Sequence, residues 1–540
     1  MTSASERMIK FGHGLITEAP VEVFGNKASV LAGIASIGIP VPPGFSLSVA
    51  ICDEFFKNGR KLPADVPEML KDGIAFLEKL TGLGFGSDRR PLLVSVRSGS
   101  PISMPEAMET VLNIGLNRDT VNGLVHLTGN PRFAWDSYRR LIEGFGKTVF
   151  DHEPGHYSSV LKAAMEAEGI TEEIELDFMT LRNLVQEYEG VFSSVGHRDF
   201  LLDVYEQLEI AVRSVLDSWM KPKAVEFRKM KDIPDVLGTA VTIQAMVFGN
   251  MGMRSGSGVM FTRNPWSGEK KPLIDFKFAV QGEDVVSGYS AGTAQIAMHN
   301  ALPQMYAELL KHAQILEEHY RNMQDIEFTV QEGKLYILQS RNGKRTSLAA
   351  LRIAVDMYIE GKVGPSEALH MLDGVDVDNI FIQEINSHIE PIGKGDAASS
   401  GVVSGKICLS PAAVKLRAKN ENIVLVRETP SSDDISAVNL AVGYLTARGA
   451  RTSHAAVVAR HLGKVCIVNC TSLQIDQAHG KCRMGTKELS EGDIITLDGN
   501  SGMIYEGEVK ARSEKPLNLL AYVDNWKKDN MKEIIHGNRS

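Results

Sequence analysis

Several features that would place this chain of 540 residues in a specialised class are missing. Its cysteines are few and scattered, and an odd number does not suggest a disulfide framework; they are Cys52, Cys408, Cys466, Cys470 and Cys482. Cys466 and Cys470 have the spacing of a metal pair, but they lie on a predicted strand and the turn after it, with no second pair nearby. We therefore expect buried, reduced thiols.

An excess of positive charge is also missing. The formal net charge of -9 argues against general binding to nucleic acid. The sequence has no apolar run long enough for a membrane span and no signal peptide, so we expect a cytoplasmic location without a membrane partner. A hydrophobic content of 43% and a charged content of 23% fit a globular protein, and the length predicts two to four domains.

One stretch places a histidine where a loop becomes a helix. An apolar strand is predicted at Leu440–Leu445, a helix of small apolar residues at Ala455–Leu462, and a second strand at Val465–Val468. His454 then lies at the helix start, where free N–H groups and the helix dipole favour an anion, including a phosphate carried on imidazole. Neutral imidazole is also a good nucleophile. The alternative is a histidine that only caps the helix.

The loop before His454 adds to this pattern. Thr452 and Ser453 are candidate N-cap residues, and Arg448 and Arg451 add positive charge.

The N-terminal part contains two cationic candidates for phosphate binding. Residues 1–20 read as a loosely fixed lead-in, after which Lys27 opens a helix behind a glycine turn. Arg97 ends the apolar strand Pro91–Gly99 and emerges into a Ser/Gly loop. Bidentate phosphate binding would explain such an arginine, and a salt bridge in the core is the alternative.

A predicted hairpin places two acids near an amide and a guanidinium. Its strands are Asp325–Val330 and Leu335–Arg341, with the turn at residues 331–334. Strand alternation puts Asp325 and Glu327 on one face, and Gln339 and Arg341 on one face of the partner strand. Such a patch suits Mg²⁺ that bridges ATP phosphates. An exposed strand face with salt bridges is the alternative.

The histidine stretch closely resembles a known motif, Gly449-x-x-Thr-Ser-His-Ala-Ala-Val-Val-Ala-Arg460. It is similar to the phosphohistidine motif of the swivelling domain in PEP-utilising enzymes, which include pyruvate phosphate dikinase and PEP synthase. The resemblance implies that His454 carries the phosphoryl group. Ala450 and Arg451 stand where that family usually has Gly-Met.

The N-terminal part resembles the nucleotide-binding domain of the dikinases, a relative of ATP-grasp folds. The resemblance rests on Ser103–Leu116 and Arg132–Arg140, together with Lys27 and Arg97. One departure is Glu106, which stands where the dikinases usually have glycine in the loop over the terminal phosphates. A carboxylate there would repel an anion.

The resemblance also implies roles for individual residues. Lys27, Arg97 and Arg140 would hold ATP phosphates, and Gln244 and Glu283 are candidates for adenosine contacts, with a buried polar pair as the alternative. Glu327 and Gln339 would be Mg²⁺ ligands, with Asp325 in support. Arg341 would contact phosphate, which makes His454, Arg97 and Arg341 the predicted catalytic set.

The expected fold class is a multidomain α/β and α+β protein. An ATP-grasp-like nucleotide-binding domain covers residues 1–343, with a helical insertion at about 150–235. Linker helices and a hinge follow at 344–395. A β/α swivelling phosphohistidine domain occupies 396–510, and a tail occupies 511–540.

The resemblance implies that His454 attacks the β-phosphate of ATP and leaves AMP. In the dikinases a TIM barrel binds pyruvate, and no such segment is evident in this sequence. We therefore expect a partner subunit that holds a small hydroxyl acceptor, with a phenol or alkylphenol favoured, as in phenylphosphate synthase. The alternatives are the donor half of a split PEP synthase or dikinase acting on pyruvate, and an ATP-sensing regulatory phosphoprotein.

Overall fold

A computed structural model of the chain describes residues 7–102, 109–194, 203–230, 233–234, 238–282, 294–385, 389–431, 434–449, 451 and 454–537. The chain forms two compact units. One comprises Met1–Met253 with Tyr336–Gln339, and the other comprises Arg254–Leu335 with Ser340–Ser540. The domain boundaries expected from the sequence stay a prediction.

The first unit is built on a five-stranded antiparallel sheet in the order β1-β2-β5-β3-β4. Its strands are β1 (Met8–Phe11), β2 (Gly44–Leu47), β3 (Val94–Gly99), β4 (Thr110–Ile114) and β5 (Ala240–Ala245). Its helices are α1 (Val21–Ser36), α2 (Val49–Lys57), α3 (Val66–Thr81), α4 (Thr120–Thr128), α5 (Pro131–Thr148), α6 (Pro154–Glu168), α7 (Phe178–Ser194), α8 (Val204–Asp217) and α9 (Pro222–Met230).

The first strand corrects one expectation. Residues 1–20 were expected to be a loose lead-in, yet Met8–Phe11 pairs with Gly44–Leu47 at the edge of the sheet. Phe11 is fully buried. Four residues are too short for a clear alternating pattern, so pairing with a distant strand decides this structure.

The predicted helical insertion is confirmed. Between residues 150 and 230 the chain forms α6 to α9, with short 3₁₀ turns at Glu173–Glu175 and Ser218–Met220. Apolar side chains on α7 and α8 enter the same core as β3 and β4, including Leu181, Tyr188, Leu208 and Val212. Burial of one apolar stripe on each helix stabilises the insertion.

The second unit begins with a four-stranded sheet in the order β7-β6-β8-β9. Its elements are β6 (Gly256–Phe261), β7 (Leu273–Phe278), α10 (Ala294–Ala301), α11 (Pro303–Tyr320), β8 (Gln324–Gln331) and β9 (Lys334–Asn342). Helices α12 (Ser347–Ile359) and α13 (Pro365–His370) follow, and they share an apolar core with the last helix, α17 (Leu517–Gly537).

An eight-stranded sheet forms the rest of the second unit, in the order β11-β21-β20-β13-β14-β15-β16-β12. Four central strands run parallel, with helices in the crossovers. The elements are β11 (Gly393–Lys394), β12 (Asp396–Ser399), β13 (Val402–Cys408), α14 (Pro411–Arg417), β14 (Ile423–Arg427), α15 (Ile435–Leu440), β15 (Gly443–Thr446), α16 (His454–His461), β16 (Val465–Val468), β20 (Ile494–Asp498) and β21 (Met503–Glu506).

Two smaller sheets complete this region. Strands β17 (Leu473–Asp476), β18 (Lys481–Met484) and β19 (Lys487–Ser490) form an antiparallel meander that the sequence did not predict. The segment 344–395, expected to hold linker helices and a hinge, also contains β10 (Ile382–Ile385), which pairs with β22 (Ala511–Glu514). The chain therefore enters and leaves the region of the eight-stranded sheet through one two-stranded ribbon.

Three further features of the chain are the state of its cysteines, its groups of metal-ligating side chains and the apolar character of its helices. All five cysteines are buried and free. Within the described residues, no group of three or more His, Cys, Asp or Glu side chains could hold a metal ion. In the same part of the chain, no helix combines the length and apolar character that a membrane span requires.

Candidate active site

The predicted hairpin is confirmed and brings an acid and an arginine together. Its turn contains Glu332 (φ 47°) and Gly333 (φ 74°), and two positive φ angles are typical of a type I′ turn. The strands extend one residue further at each end than the sequence indicated. On one face, Arg341 Nε donates to Asp325 Oδ2 at 2.8 Å. On the other, the Ser340 hydroxyl donates to Gln324 Oε1 at 2.8 Å.

Asp325 is a buried carboxylate with unused capacity. Only 6% of the residue is exposed, and among the described residues its Oδ1 has no hydrogen-bond partner. Burial raises the pKa of Asp325, Arg341 opposes that shift, and the nearby Glu327 adds to it. A buried oxygen without a donor suits a cation, because a cation would neutralise the charge that burial disfavours.

Glu327 and Gln339 complete the predicted metal ligands. Glu327 lies two residues beyond Asp325 on the same strand, opposite Val259, and is partly exposed. Carboxylate oxygens of this kind fit Mg²⁺. Gln339 lies two residues before Arg341 on β9 and is partly exposed. Its role as a ligand stays a prediction from strand alternation.

In the first unit, Lys27 and Arg97 lie on elements that approach each other closely. Helix α1 is kinked at Gly25 (φ 73°), so its second segment starts just before Lys27. A Cβ atom at Gly25 would lie 1.7 Å from the carbonyl oxygen of Gly99, at the end of β3. Only glycine permits this approach. The structure therefore brings the helix start that carries Lys27 beside the strand end that carries Arg97.

Arg140 lies in a saturated ion network. Its Nε donates to Asp136 Oδ2 at 3.0 Å, one helical turn earlier. Arg139 donates to Asp136 Oδ1 through both Nε and Nη2, at 3.0 and 2.9 Å. Burial alone would raise the pKa of Asp136, but the arginines outweigh it and hold the pKa below its usual value. A contact of Arg140 with ATP phosphate stays a prediction.

The two adenosine candidates differ in what the structure describes. Gln244 is 2% exposed, and its Nε2 donates to the carbonyl oxygen of Pro42 at 2.9 Å. This bond supports the alternative of a buried polar residue between strands. Glu283 lies outside the described residues, as do Glu106 in the predicted phosphate loop and the cap candidates Thr452 and Ser453.

The strand and the helix predicted around His454 are present, but the strand is Gly443–Thr446, because Leu440 ends the preceding helix. His454 is the first residue of α16, which packs against β12 and β16. The helix therefore presents its N-terminal N–H groups at His454, as the sequence indicated.

The loop arginines are not free charges. Arg451 Nη2 donates to Asp396 Oδ1 at 3.0 Å, and Arg448 Nε lies 3.5 Å from Glu428 Oε1. Sequence reasoning also overlooked Arg460 at the end of the motif. It is 3% exposed, and its Nε donates to the carbonyl oxygen of Ala398 at 3.1 Å. Its position, at the end of a helix of small apolar residues, is the feature of the sequence that could have indicated a buried arginine.

Two models of known protein families match the chain. The family model of the pyruvate phosphate dikinase AMP/ATP-binding domain matches residues 60–301 and 295–362, which is more than half of the chain. The chain belongs to the pyruvate phosphate dikinase family. The mobile domain of PEP-utilising enzymes matches residues 419–502, which include His454.

Several dikinases resemble the chain over most of its length. It is 40% identical to the chloroplastic pyruvate, phosphate dikinase of Mesembryanthemum crystallinum, over 94% of this chain and 54% of the relative. It is 39% identical to pyruvate, phosphate dikinase of Clostridium symbiosum, over 91% of this chain and 57% of the relative. It is 41% identical to pyruvate, phosphate dikinase of Rhizobium meliloti, over 90% of this chain and 56% of the relative. The chain spans about half the length of these relatives. Members of the family use ATP and Mg²⁺.

Proposed function

We propose that this chain is the donor part of a dikinase-type phosphotransferase that moves a phosphoryl group from ATP to pyruvate through a phosphohistidine at His454. The observation that carries the proposal is the pair of Asp325 and Arg341, with one buried carboxylate oxygen unused, in a chain that begins a helix at the histidine of a phosphohistidine motif. A cytoplasmic location is part of the proposal.

The first half-reaction is a displacement at the β-phosphorus of ATP. A ring nitrogen of His454 forms a bond to this phosphorus, and the bridging bond to the α-phosphate breaks and releases AMP. The γ-phosphoryl group then leaves to phosphate or water, and phosphohistidine remains. Such a transfer depends on positioning and charge neutralisation more than on covalent help from the protein.

The residues of the chain divide this work between them. Lys27 and Arg97 would bind phosphate oxygens, and the planar guanidinium of Arg341 would bind them bidentately while Asp325 fixes its orientation. Asp325, Glu327 and Gln339 would hold Mg²⁺, which supplies charge neutralisation at the phosphate oxygens when bound. The N-terminal N–H groups of α16 favour the anionic phosphoryl group on His454.

Pyruvate is the favoured acceptor because the relatives with 39–41% identity are named pyruvate, phosphate dikinases. This replaces the phenol that was favoured from the sequence, and the phenol becomes an outcome to test. An acceptor-binding partner subunit remains part of the proposal.

Labelling with ATP tests the carrier role. The full chain is incubated with Mg²⁺ and ATP labelled at the β-phosphate, and acid-labile protein label is measured. We expect label on the wild type and none on His454→Ala. The matched control is His479→Ala, because His479 is an exposed histidine that pairs with Asp476 at 2.7 Å. Equal label on His454→Ala would refute the carrier role.

A second experiment identifies the acceptor. The labelled chain, with proteins captured from its native host, receives pyruvate or phenol. Transfer of label to pyruvate supports the proposal, and transfer to phenol alone would revive the earlier hypothesis. Label that stays on the protein with both acceptors, and responds only to the level of ATP, would indicate a regulatory phosphoprotein.

A further inference from the structure

A buried tryptophan lies against two arginines that flank the phosphohistidine position. Arg451 Cζ lies 5.4 Å from the ring of Trp266, and Arg460 Cζ lies 5.6 Å from it. Arg460 also lies 5.6 Å from the ring of Phe261. Trp266 is 4% exposed and Arg460 is 3% exposed. A guanidinium over an aromatic face is attracted by the ring quadrupole, and the attraction is stronger away from water.

The tryptophan is held in place by its own turn. Asn264 Oδ1 accepts hydrogen bonds from the backbone N–H groups of Trp266 and Ser267, at 3.0 and 3.1 Å. The Thr346 hydroxyl donates to the Trp266 carbonyl oxygen at 2.8 Å. The backbone that carries the indole is therefore held by Asn264 and Thr346, independently of the arginines.

The two arginines are fixed within the other region. Arg451 is tied to Asp396, and Arg460 donates to the carbonyl oxygens of Ala398 and Arg451 at 3.1 and 3.0 Å. Arg451 precedes α16, which begins at His454, and Arg460 lies near the other end of this helix. A contact between the indole and these arginines therefore sets the position of that helix.

Among the described residues, no apolar core joins Trp266 to the residues of the eight-stranded sheet. The two cores that flank the eight-stranded sheet contain, among the described residues, only residues between 392 and 504. Phe261 belongs to a different core, with α12 and the last helix. Surfaces that meet without a common core separate more readily than surfaces with one. The cation–π contact is therefore suited to forming and breaking.

The same contact lies near the acid cluster of the hairpin. Burial lowers the pKa of Arg460 to about 10, while Cys466, Asp325 and Asp275 oppose the shift. The guanidinium thus lies within electrostatic range of Asp325. When the contact is made, the end of α16 that carries Arg460 is therefore within electrostatic range of the carboxylate that the proposed reaction requires.

We propose that Trp266 is a positioning residue that docks the phosphohistidine helix for its phosphorylation by ATP, through Arg451 and Arg460. This inference rests on the proposed function, because it concerns the rate at which His454 is phosphorylated. Docking adds no chemical step to the proposed displacement at the β-phosphorus.

Single-turnover phosphorylation of the full chain tests the inference. Trp266→Ala should lower the maximal rate of His454 labelling by about tenfold, because both cation–π contacts are lost. The ATP concentration at half-maximal rate should not change, since Trp266 is not among the residues proposed to bind the nucleotide. Trp266→Phe, which keeps an aromatic face, should recover most of the rate.

The chain offers a matched control. Trp135 forms another arginine contact, with Arg182 Cζ 5.6 Å from its ring. Trp135→Ala should therefore phosphorylate at the wild-type rate. A Trp266→Ala rate equal to that of Trp135→Ala would overturn the inference, and so would a faster rate, which would mean that the contact holds the helix away from ATP.

Two further measurements separate the possible failures. Small-angle scattering without nucleotide should give a larger radius of gyration for Trp266→Ala than for Trp135→Ala, and equal values would overturn the docking role. If Trp266→Ala does not fold, Arg451→Met replaces it, with a smaller expected loss of about threefold. Label that persists on His454→Ala refutes the proposed function, whereas loss of label there with a normal Trp266→Ala rate refutes only the docking role.

Discussion

Two buried aspartates in this chain pair with arginines but differ in how many of their carboxylate oxygens accept a hydrogen bond. Asp136 in the first unit and Asp325 in the second are 5% and 6% exposed. Both oxygens of Asp136 are filled, one by Arg139 and the other by Arg140. Among the described residues, Asp325 accepts a hydrogen bond through Oδ2 only, from Arg341. Similar residues and similar burial therefore produce one saturated ion pair and one incomplete pair.

The pKa directions follow this difference. Arginines outweigh burial at Asp136 and lower its pKa, whereas burial outweighs the single arginine at Asp325 and raises its pKa. A saturated carboxylate stabilises the fold, and a carboxylate with an open oxygen retains capacity for a ligand. The number of carboxylate oxygens without a hydrogen-bond donor therefore distinguishes a stabilising aspartate from a ligand-binding one better than burial does.

The largest expected effect is on activity at Asp325. Asp325→Asn should lower the rate of His454 phosphorylation by about 100-fold, because it removes a metal-facing charge and the orientation of Arg341. Single-turnover labelling measures this rate. Asp373→Asn, at an exposed aspartate, is the control. A normal rate in Asp325→Asn would show that phosphorylation does not require Asp325 and that its role is structural, like that of Asp136.

The next effect is on stability at Asp136. Asp136→Asn should lower the free energy of unfolding by about 3 kcal/mol, because Arg139 is 2% exposed and would lose its main counter-charge. Asp325→Asn should change the same quantity by less than about 1 kcal/mol, because the Arg341 side chain is 42% exposed and water would solvate its charge. Urea unfolding of both variants measures the difference. Equal losses would remove the distinction between the two carboxylates.

The pH dependence of stability should have opposite signs at the two sites. The folded pKa of Asp136 lies below its ordinary value of 3.8, so its contribution is present above pH 3.8 and is lost as the pH falls through the folded pKa. The folded pKa of Asp325 lies above 3.8, so its contribution is present at lower pH and is lost as the pH rises through the folded pKa.

Unfolding across this pH range measures both contributions. Asp136→Asn should flatten the fall in stability below pH 3.8, and Asp325→Asn should flatten the fall above it. The same change in slope for both variants would contradict the opposite pKa directions.

The smallest effect is expected at the rim of the saturated network. Glu173 accepts from Arg139 at 2.8 Å, but its side chain is 45% exposed. Glu173→Gln should therefore lower the free energy of unfolding by only about 0.5 kcal/mol. Urea unfolding beside Asp136→Asn checks this value. A loss as large as that of Asp136→Asn would show that exposure does not set the contribution of a partner.

Local patterns predicted the elements that carry the candidate site. Strand alternation and the Glu332-Gly333 turn predicted the hairpin and the shared face of Asp325 and Arg341. The cap and small apolar residues predicted the helix that starts at His454. The sequence also allows the pairing of Arg140 with Asp136 to be predicted, because the two residues are one helical turn apart.

Contacts between distant segments were beyond the reach of these patterns. Trp266 meets Arg451 only through the fold, and neither residue has a local signal for the other. Gln244 donates to the carbonyl oxygen of Pro42, which is 202 positions away in the chain. The short strand Met8–Phe11 depends on a partner strand beyond a helix. In each case tertiary contacts decide what local propensity leaves open.

The nucleotide product of a single turnover tests the central claim most directly. The full chain with Mg²⁺ and ATP labelled at the β-phosphate should release AMP in amounts equal to the label found on the peptide that contains His454. Release of ADP, with label on the protein only when ATP carries it at the γ-phosphate, would contradict the account.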